Sequence, residues 1–242
     1  MQRKDFLKIT RPIAAAAILC VLAALLSVAA AAQVDPIEGG AVGSDLISPA
    51  LQPGDANFAP LSPRDRAGLF FKGYMGSPLP YYAVTAAATG ELLAGEPVGW
   101  PKSFSGYTRR AGSQAAMLMF EEGVHEGGDA ALGLDPRYFR CHCDGFLRRS
   151  GHALKMSFVA YDGEGHLHLD MPRLVGDYGG AMLVTSWYPS QYRASVQGVQ
   201  MGHVQVALDG GINLLREFAP EMKRAFGHRR NAYQSETSAA VR

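Results

Sequence analysis

Cys141-His142-Cys143 places two thiols around an imidazole in consecutive positions, with Asp144 next and His152 a few residues on. Sulfur and imidazole are the ligands that zinc and copper prefer. A structural zinc site draws on two separated ligand pairs, and here there is no second cysteine pair, since Cys20 sits in an N-terminal apolar run. A metal centre at the triplet therefore needs a histidine to fold back onto it. The candidate ligands are Cys141, His142, Cys143 and His152, with His125 and His166 as further donors. Two other readings stand beside this one: a tight Cys141–Cys143 disulfide in an oxidising compartment, or reduced cysteines serving as small buried apolar groups. No cofactor is demanded by the sequence, and zinc or copper is what this segment would take.

Glu122 and His125 form an E-x-x-H, which puts both side chains on one face of a helix. Di-iron bundles use two such copies plus further glutamates. With one copy, the expectation is an exposed polar helix end running into Gly127-Gly128. His166 and His168 share one face of a short strand, next to the turn Asp162-Gly163-Glu164-Gly165 and Asp170, which fits a solvated hairpin arm. The chain holds no G-x-S-x-G, no H-E-x-x-H and no phosphate loop, and Gly176-Asp177-Tyr178-Gly179-Gly180 is not a dinucleotide fingerprint. No substrate is legible.

Basic and aromatic residues interleave from Arg137 to Lys155: Arg137, Tyr138, Phe139, Arg140, Phe146, Arg148 and Arg149, with Lys223 and Arg224 near the C-terminus. Such a face suits an anionic membrane surface or an acidic envelope partner, or else is a solvated basic surface. Nucleic acid is not indicated by the net charge, +1 for the whole sequence and −2 once a cleaved N-terminal signal takes Arg3, Lys4, Lys8, Arg11 and Asp5 with it.

These residues must be positioned by helices. Ser62-Pro63-Arg64-Asp65 reads as a capped start, followed by Ala67, Phe70, Phe71 and Tyr74 at helical spacing, which predicts a helix over 63–74. Further helices are expected from Pro80 to about Leu92, Ser103 to Val124, Gly145 to Ala160, Met171 to Trp187 and Ser195 to Phe218, with Pro220 kinking the last or opening a short one to Phe226. The expectation is a mainly α fold, a single compact bundle of five to seven glycine-rich helices with room for one short β-hairpin at 166–170. So many glycines within helices, each costing about 0.5–1 kcal/mol against alanine, point to close backbone crossings. Small residues at Gly106, Ala111, Gly112, Ala115 and Ala116 fit tight packing in a soluble bundle.

Ahead of this domain, Arg3, Lys4, Lys8 and Arg11 precede an apolar run ending in Ala30-Ala31-Ala32, the pattern of a cleaved export signal. The uncharged run from Ile13 to Ala32 also has the length of an uncleaved anchor. Arg3-Lys4 resembles a twin-arginine motif with lysine in the second position. Cleavage takes the net charge from +1 to −2 by removing those basic residues and Asp5, and it leaves Cys141 and Cys143 as the remaining cysteines. The expected organisation is a signal peptide at 1–32, a flexible Gly/Pro-rich linker at 33–61, a helical domain at 62–228 and a mobile tail at 229–242. A content of 48% apolar and 19% charged residues fits a folded domain.

Four stretches carry a resemblance: Tyr107–Gly112, Asp135-Pro136-Arg137-Tyr138-Phe139, Trp187-Tyr188-Pro189, and Asn213–Phe218 with Pro220 and Lys223-Arg224. In them the chain resembles a group of uncharacterised exported proteins of acidobacterial type, over most of residues 62–228. That resemblance implies export and supplies no activity. Where the group tends to have an Arg-Thr-Asp-Ser-Gly turn, this chain has Ala160-Tyr161-Asp162-Gly163. The functional expectation is an exported envelope protein, periplasmic or membrane-associated, of structural or interaction type and docking at a membrane surface. The alternative is a metal- or thiol-dependent envelope enzyme using the Cys-His-Cys segment.

Overall fold

In the computed structural model, the backbone is described for residues 47–48 and 60–240, and side chains for 60–222 and Arg224. The export signal and most of the expected linker lie outside the described residues. The fold is mainly α, as the periodicity predicts. Its helices are α1 (Pro63–Phe70), α2 (Leu79–Ala94), α3 (Phe104–Leu132), α4 (Phe146–Lys155), α5 (Met171–Thr185) and α6 (Val199–Ala240), with wider π-type turns at Phe71–Met75 and Ala194–Gly198. The strands are β1 (Ile47–Ser48), β2 (Leu134–Asp135), β3 (Tyr138–Phe139), β4 (Val159–Asp162) and β5 (Leu167–Leu169).

Local chemistry sets the boundaries. At α1, the Ser62 hydroxyl accepts the backbone N–H of Asp65 at 3.2 Å and Pro63 fills the first turn. Gly95 and Gly133 end α2 and α3 in the left-handed region, at φ 75° and 71°. The expected hairpin exists: β4 and β5 are antiparallel around the Asp162–Gly165 turn, pairing Ala160 with His168, and β2 adds to the other edge of β4 through Leu134 and Asp162. β1 runs parallel to β3, Ile47 opposite Tyr138.

Several boundaries differ from expectation. The helix expected over 145–160 stops at Lys155, because Val159-Ala160-Tyr161 is a β-branched and aromatic segment that the sheet takes up. α3 continues through Gly127-Gly128 to Leu132. There Gly128 is a contact point: a Cβ would stand 2.5 Å from the Pro172 ring. α6 passes through Pro220. One residue beyond the Arg216 carbonyl that Pro220 deprives of its N–H, Arg149 donates to the Glu217 carbonyl at 2.6 Å and ties this turn to α4. α6 then extends to Ala240 where a mobile tail was expected, since extending an existing helix costs far less than nucleating one.

The bundle is organised on α3. Gly106, Arg110, Ser113, Met117, Glu121, His125 and Asp129 are buried in sequence along it, every third or fourth residue, on one face. α5 lies against that face through Gly176, Asp177, Gly180, Ala181 and Val184. The predicted close crossing is here: a Cβ on Gly176 would stand 2.7 Å from the Glu121 carbonyl oxygen, and one on Gly180 3.2 Å from that of Met117. Met117, Ala181, Val184 and Tyr188 form one apolar cluster, while Tyr138, Ala153 and Met156 form another between β3 and α4. Among the described residues, no helix is long and apolar enough to cross a membrane.

Candidate metal centre

The inner face of α3 turns polar toward its C-terminal end. Glu121, His125 and Asp129 follow one another at four-residue spacing, and His125 and Asp129 are 6% and 0% exposed. From the other side comes Asp170, 1% exposed, which caps α5: its Oδ1 accepts the backbone N–H of Arg173 at 2.9 Å. The cap fixes the carboxyl, so its second oxygen points back at α3. His125 Nε2 lies 3.1 Å from Asp129 Oδ2, 3.4 Å from Asp170 Oδ2 and 3.0 Å from Nη2 of Arg173. Its Nδ1 faces Glu122 Oε2 at 3.8 Å. Arg173 also donates to Asp170 at 3.2 Å and to Asp209 at 3.0 Å.

This geometry places incompatible demands on Nε2. A ring nitrogen holds a proton or a lone pair. With a proton it faces Arg173 donor to donor; with a lone pair it faces two carboxylate oxygens acceptor to acceptor. Asp129 adds a second mismatch. Neither of its oxygens accepts a hydrogen bond, although the side chain is fully buried. It also sits in the last turn of α3, where the helix dipole disfavours negative charge. A buried carboxylate so placed is costly without a cation beside it, and the position 3.1 Å away at His125 Nε2 admits either a protonated imidazole or a metal ion shared with the ring.

Electrostatics make the same point. The carboxyl groups of Glu122, Asp129, Asp170 and Asp209 outnumber the Arg173 guanidinium and the His125 imidazole. Burial and Arg173 oppose a proton on His125, yet Asp129, Asp170 and Glu122 outweigh them and hold its pKa well above the ordinary value. Asp170 is held down to about 2: burial pushes its carboxyl up, but His125 and Arg173 prevail. Beyond this group, Glu121 is pushed up to about 9 by burial, with Asp177, Glu122 and Asp209 adding to the shift. Burial, then Asp209, raises Asp177 as well.

His125, Asp129 and Asp170 offer one nitrogen and two oxygens within 4.8 Å of one another. Separations of 3.1 and 3.4 Å match donors held about 2.1 Å from a shared ion, which stand about 3.0–3.4 Å apart in octahedral or tetrahedral geometry. Imidazole with carboxylates suits zinc, manganese or ferrous iron better than calcium or magnesium.

The ligands expected from the sequence do not converge. Cys141 and Cys143 form a disulfide across Cα atoms 5.2 Å apart, so their sulfurs are bonded to each other. His142 is exposed, and His152 Nδ1 lies 3.8 Å from Glu217 Oε2 rather than beside a sulfur. The E-x-x-H histidine, expected to be exposed, is instead buried at the centre. His166 and His168 are exposed and turn to Asp162, at 3.4 and 2.8 Å, as a hairpin arm should.

The basic and aromatic residues do not make one surface either. Tyr138 and Phe139 are buried, Arg137 forks onto Asp135, and Arg149 is held by Glu217 and Glu221. Arg140 is half-buried, while Phe146, Arg148 and Arg224 are exposed; the Lys223 side chain lies outside the described residues. Sequence reading missed Asp129, Asp170 and Arg173. The available signals were the i, i+4 spacing of His125 and Asp129, and Asp170 ahead of Pro172 as a helix cap. Compared with protein-family models, characterised proteins and solved structures, the chain has no match.

Proposed function

We propose that this chain is an exported helical protein that binds a divalent transition-metal ion through His125, Asp129 and Asp170. The carrying observation is the convergence of three buried ligand atoms, from His125, Asp129 and Asp170, within 4.8 Å of one another, at a histidine nitrogen that also faces Arg173 at 3.0 Å. Export rests on the N-terminal pattern of basic residues, apolar run and Ala30-Ala31-Ala32. When bound, such an ion polarises an oxygen of a ligand or of water. Around it, Asp170 is aimed by its cap and Arg173 by Asp209, while Glu122 faces the other ring nitrogen of His125. These partners support the ligands as a second layer.

The test is metal content and uptake. The full chain, freed of metal with a chelator and titrated separately with zinc and manganese, should take up one ion. His125→Ala and Asp129→Asn should abolish uptake, and the paired substitution Cys141→Ser with Cys143→Ser should leave it unchanged. No uptake by the parent chain, or uptake that follows the cysteines, overturns the reading.

A second, compatible reading keeps the membrane surface as partner. Phe146 and Leu147 are 69% and 83% exposed beside Arg148, at the start of α4. Pelleting with anionic vesicles should weaken on Phe146→Ser with Leu147→Ser; binding unaffected by that change removes this face as the contact.

A further inference from the structure

Cys141 and Cys143 are bonded to each other with His142 alone between them. A disulfide is held closed by the fold only as strongly as it stabilises the fold, and a loop of sequence separation 2 removes little chain entropy. The structure has little need of this bridge. On one side Glu217 Oε2 already fastens the chain through the Cys141 N–H, at 3.1 Å; on the other, Glu217 Oε1 holds α4 through Nε of Arg149, at 3.0 Å. With the bridge open, the same carboxylate keeps the flanks of the two cysteines together, so opening is reversible.

The bridge is also reachable. Both cysteines are half-buried, while His142 and every residue from Asp144 to Arg148 are exposed. Within that run Phe146 and Leu147 are 69% and 83% exposed, and Phe146 is steadied by stacking on Phe218 at 5.3 Å. An exposed bridge with little structural commitment is the kind that exchanges with thiols. An apolar contact next to it suits a polypeptide that has not yet buried its own apolar residues and cysteines. We propose that Cys141–Cys143 is a redox-active disulfide that oxidises cysteine pairs in unfolded polypeptides seated on Phe146 and Leu147. A client thiolate attacks one sulfur of the bridge, forming a mixed disulfide and expelling the other sulfur as a thiolate that takes up a proton. A second client thiolate then attacks the client sulfur of the mixed disulfide. The client leaves with its own disulfide, and the bridge, which has gained the electron pair and both protons, is left as the dithiol. A small-molecule disulfide, such as glutathione disulfide, restores the bridge and leaves as a pair of thiols. None of these steps uses the ion or its ligands, so exchange and metal uptake succeed or fail separately.

The experiment has two arms, both on the unreduced full chain. Millimolar reduced glutathione should open the bridge, read as alkylated thiols at Cys141 and Cys143 by mass spectrometry, with helicity retained. In the second arm, catalytic amounts of the chain, with glutathione disulfide as oxidant, should speed disulfide formation in reduced, unfolded ribonuclease about 10-fold over the oxidant alone. Cys141→Ser with Cys143→Ser should abolish the gain. Phe146→Ser with Leu147→Ser should remove most of it while leaving the glutathione reaction at the parent rate, which separates client contact from the chemistry of the bridge. A bridge that resists glutathione, or a gain that survives loss of both cysteines, overturns the proposal. So does a Phe146→Ser, Leu147→Ser chain that loses vesicle binding yet oxidises ribonuclease at the parent rate, since the patch then belongs to the membrane.

Discussion

Glu217 Oε2 accepts the phenolic hydrogen of Tyr138 at 2.8 Å, across 79 residues of sequence. The same oxygen takes the backbone N–H of Cys141 at 3.1 Å, and Oε1 takes Nε of Arg149 at 3.0 Å. A carboxylate with no exposed surface is here fully provided with donors, unlike Asp129, so it joins α6, α4 and the 138–141 segment. Glu217→Ala should cost about 2–4 kcal/mol by leaving the Tyr138 hydroxyl and the Cys141 N–H without their acceptor, while Arg149 keeps Glu221 at 2.7 Å. Tyr138→Phe, which leaves Oε2 with the Cys141 N–H, should cost about 1 kcal/mol. Denaturant midpoints at constant slope measure both; equal losses would mean that the pair does not act as described.

The disulfide beside this acid closes a ring of sequence separation 2. So short a loop removes little chain entropy, roughly 1.5 kcal/mol in the loop-closure treatment. Reduction should therefore lower the melting temperature by only a few degrees and leave helicity intact. A free-thiol assay on the unreduced mature chain should read zero. Collapse of the fold on reduction would show that the bridge contributes through native packing instead.

Apolar periodicity located the helices but not the site, and α3 shows why. Its buried face carries Arg110, Ser113, Glu121, His125 and Asp129, so it is helical in spacing and polar in content. A search for apolar residues every 3.6 positions passes over such a face. Glu122 and His125 were legible as a motif, yet their burial depended on α3 continuing through two glycines, which local propensity disfavours and the Pro172 contact of Gly128 explains. Asp170 and Arg173 come from an element 45 or more residues away in sequence, and only packing brings them to His125. The hairpin, by contrast, was readable because its turn is local. Arg110 is a third case: fully buried, it donates to the carbonyls of Pro101 at 3.0 Å and Gly106 at 2.9 Å, a use of charge that no motif announces.

The α3–α5 crossing makes a paired prediction. Gly176→Ala drives a methyl to 2.7 Å from the Glu121 carbonyl oxygen, a backbone atom that cannot turn aside. The helices must separate, at a cost of about 1–3 kcal/mol, and the shift should also weaken metal uptake because Asp170 rides on α5. Gly112, exposed on α3 with nothing within 4 Å of a new Cβ, is the control. Gly112→Ala should stabilise by about 0.5–1 kcal/mol through helix propensity alone. If both substitutions stabilise, the crossing is looser than described.

Glu121 gives the pH dependence. Burial against α5 pushes its carboxyl from the ordinary value of 4.5 up to about 9, so the folded chain keeps a proton that the unfolded chain has released. Where the native state binds more protons, stability falls as pH rises. This contribution is therefore fully present below pH 4.5, diminishes through neutrality and is gone above about pH 9. Glu121→Gln keeps a neutral side chain of the same size, and its amide can still accept the Gln205 N–H that Oε2 now takes at 2.9 Å. The variant should unfold at nearly the same denaturant concentration as the parent at pH 4 and at a higher one at pH 9. Parallel curves across that range would mean that Glu121 is ionised in the fold, its charge balanced by a partner other than Gln205.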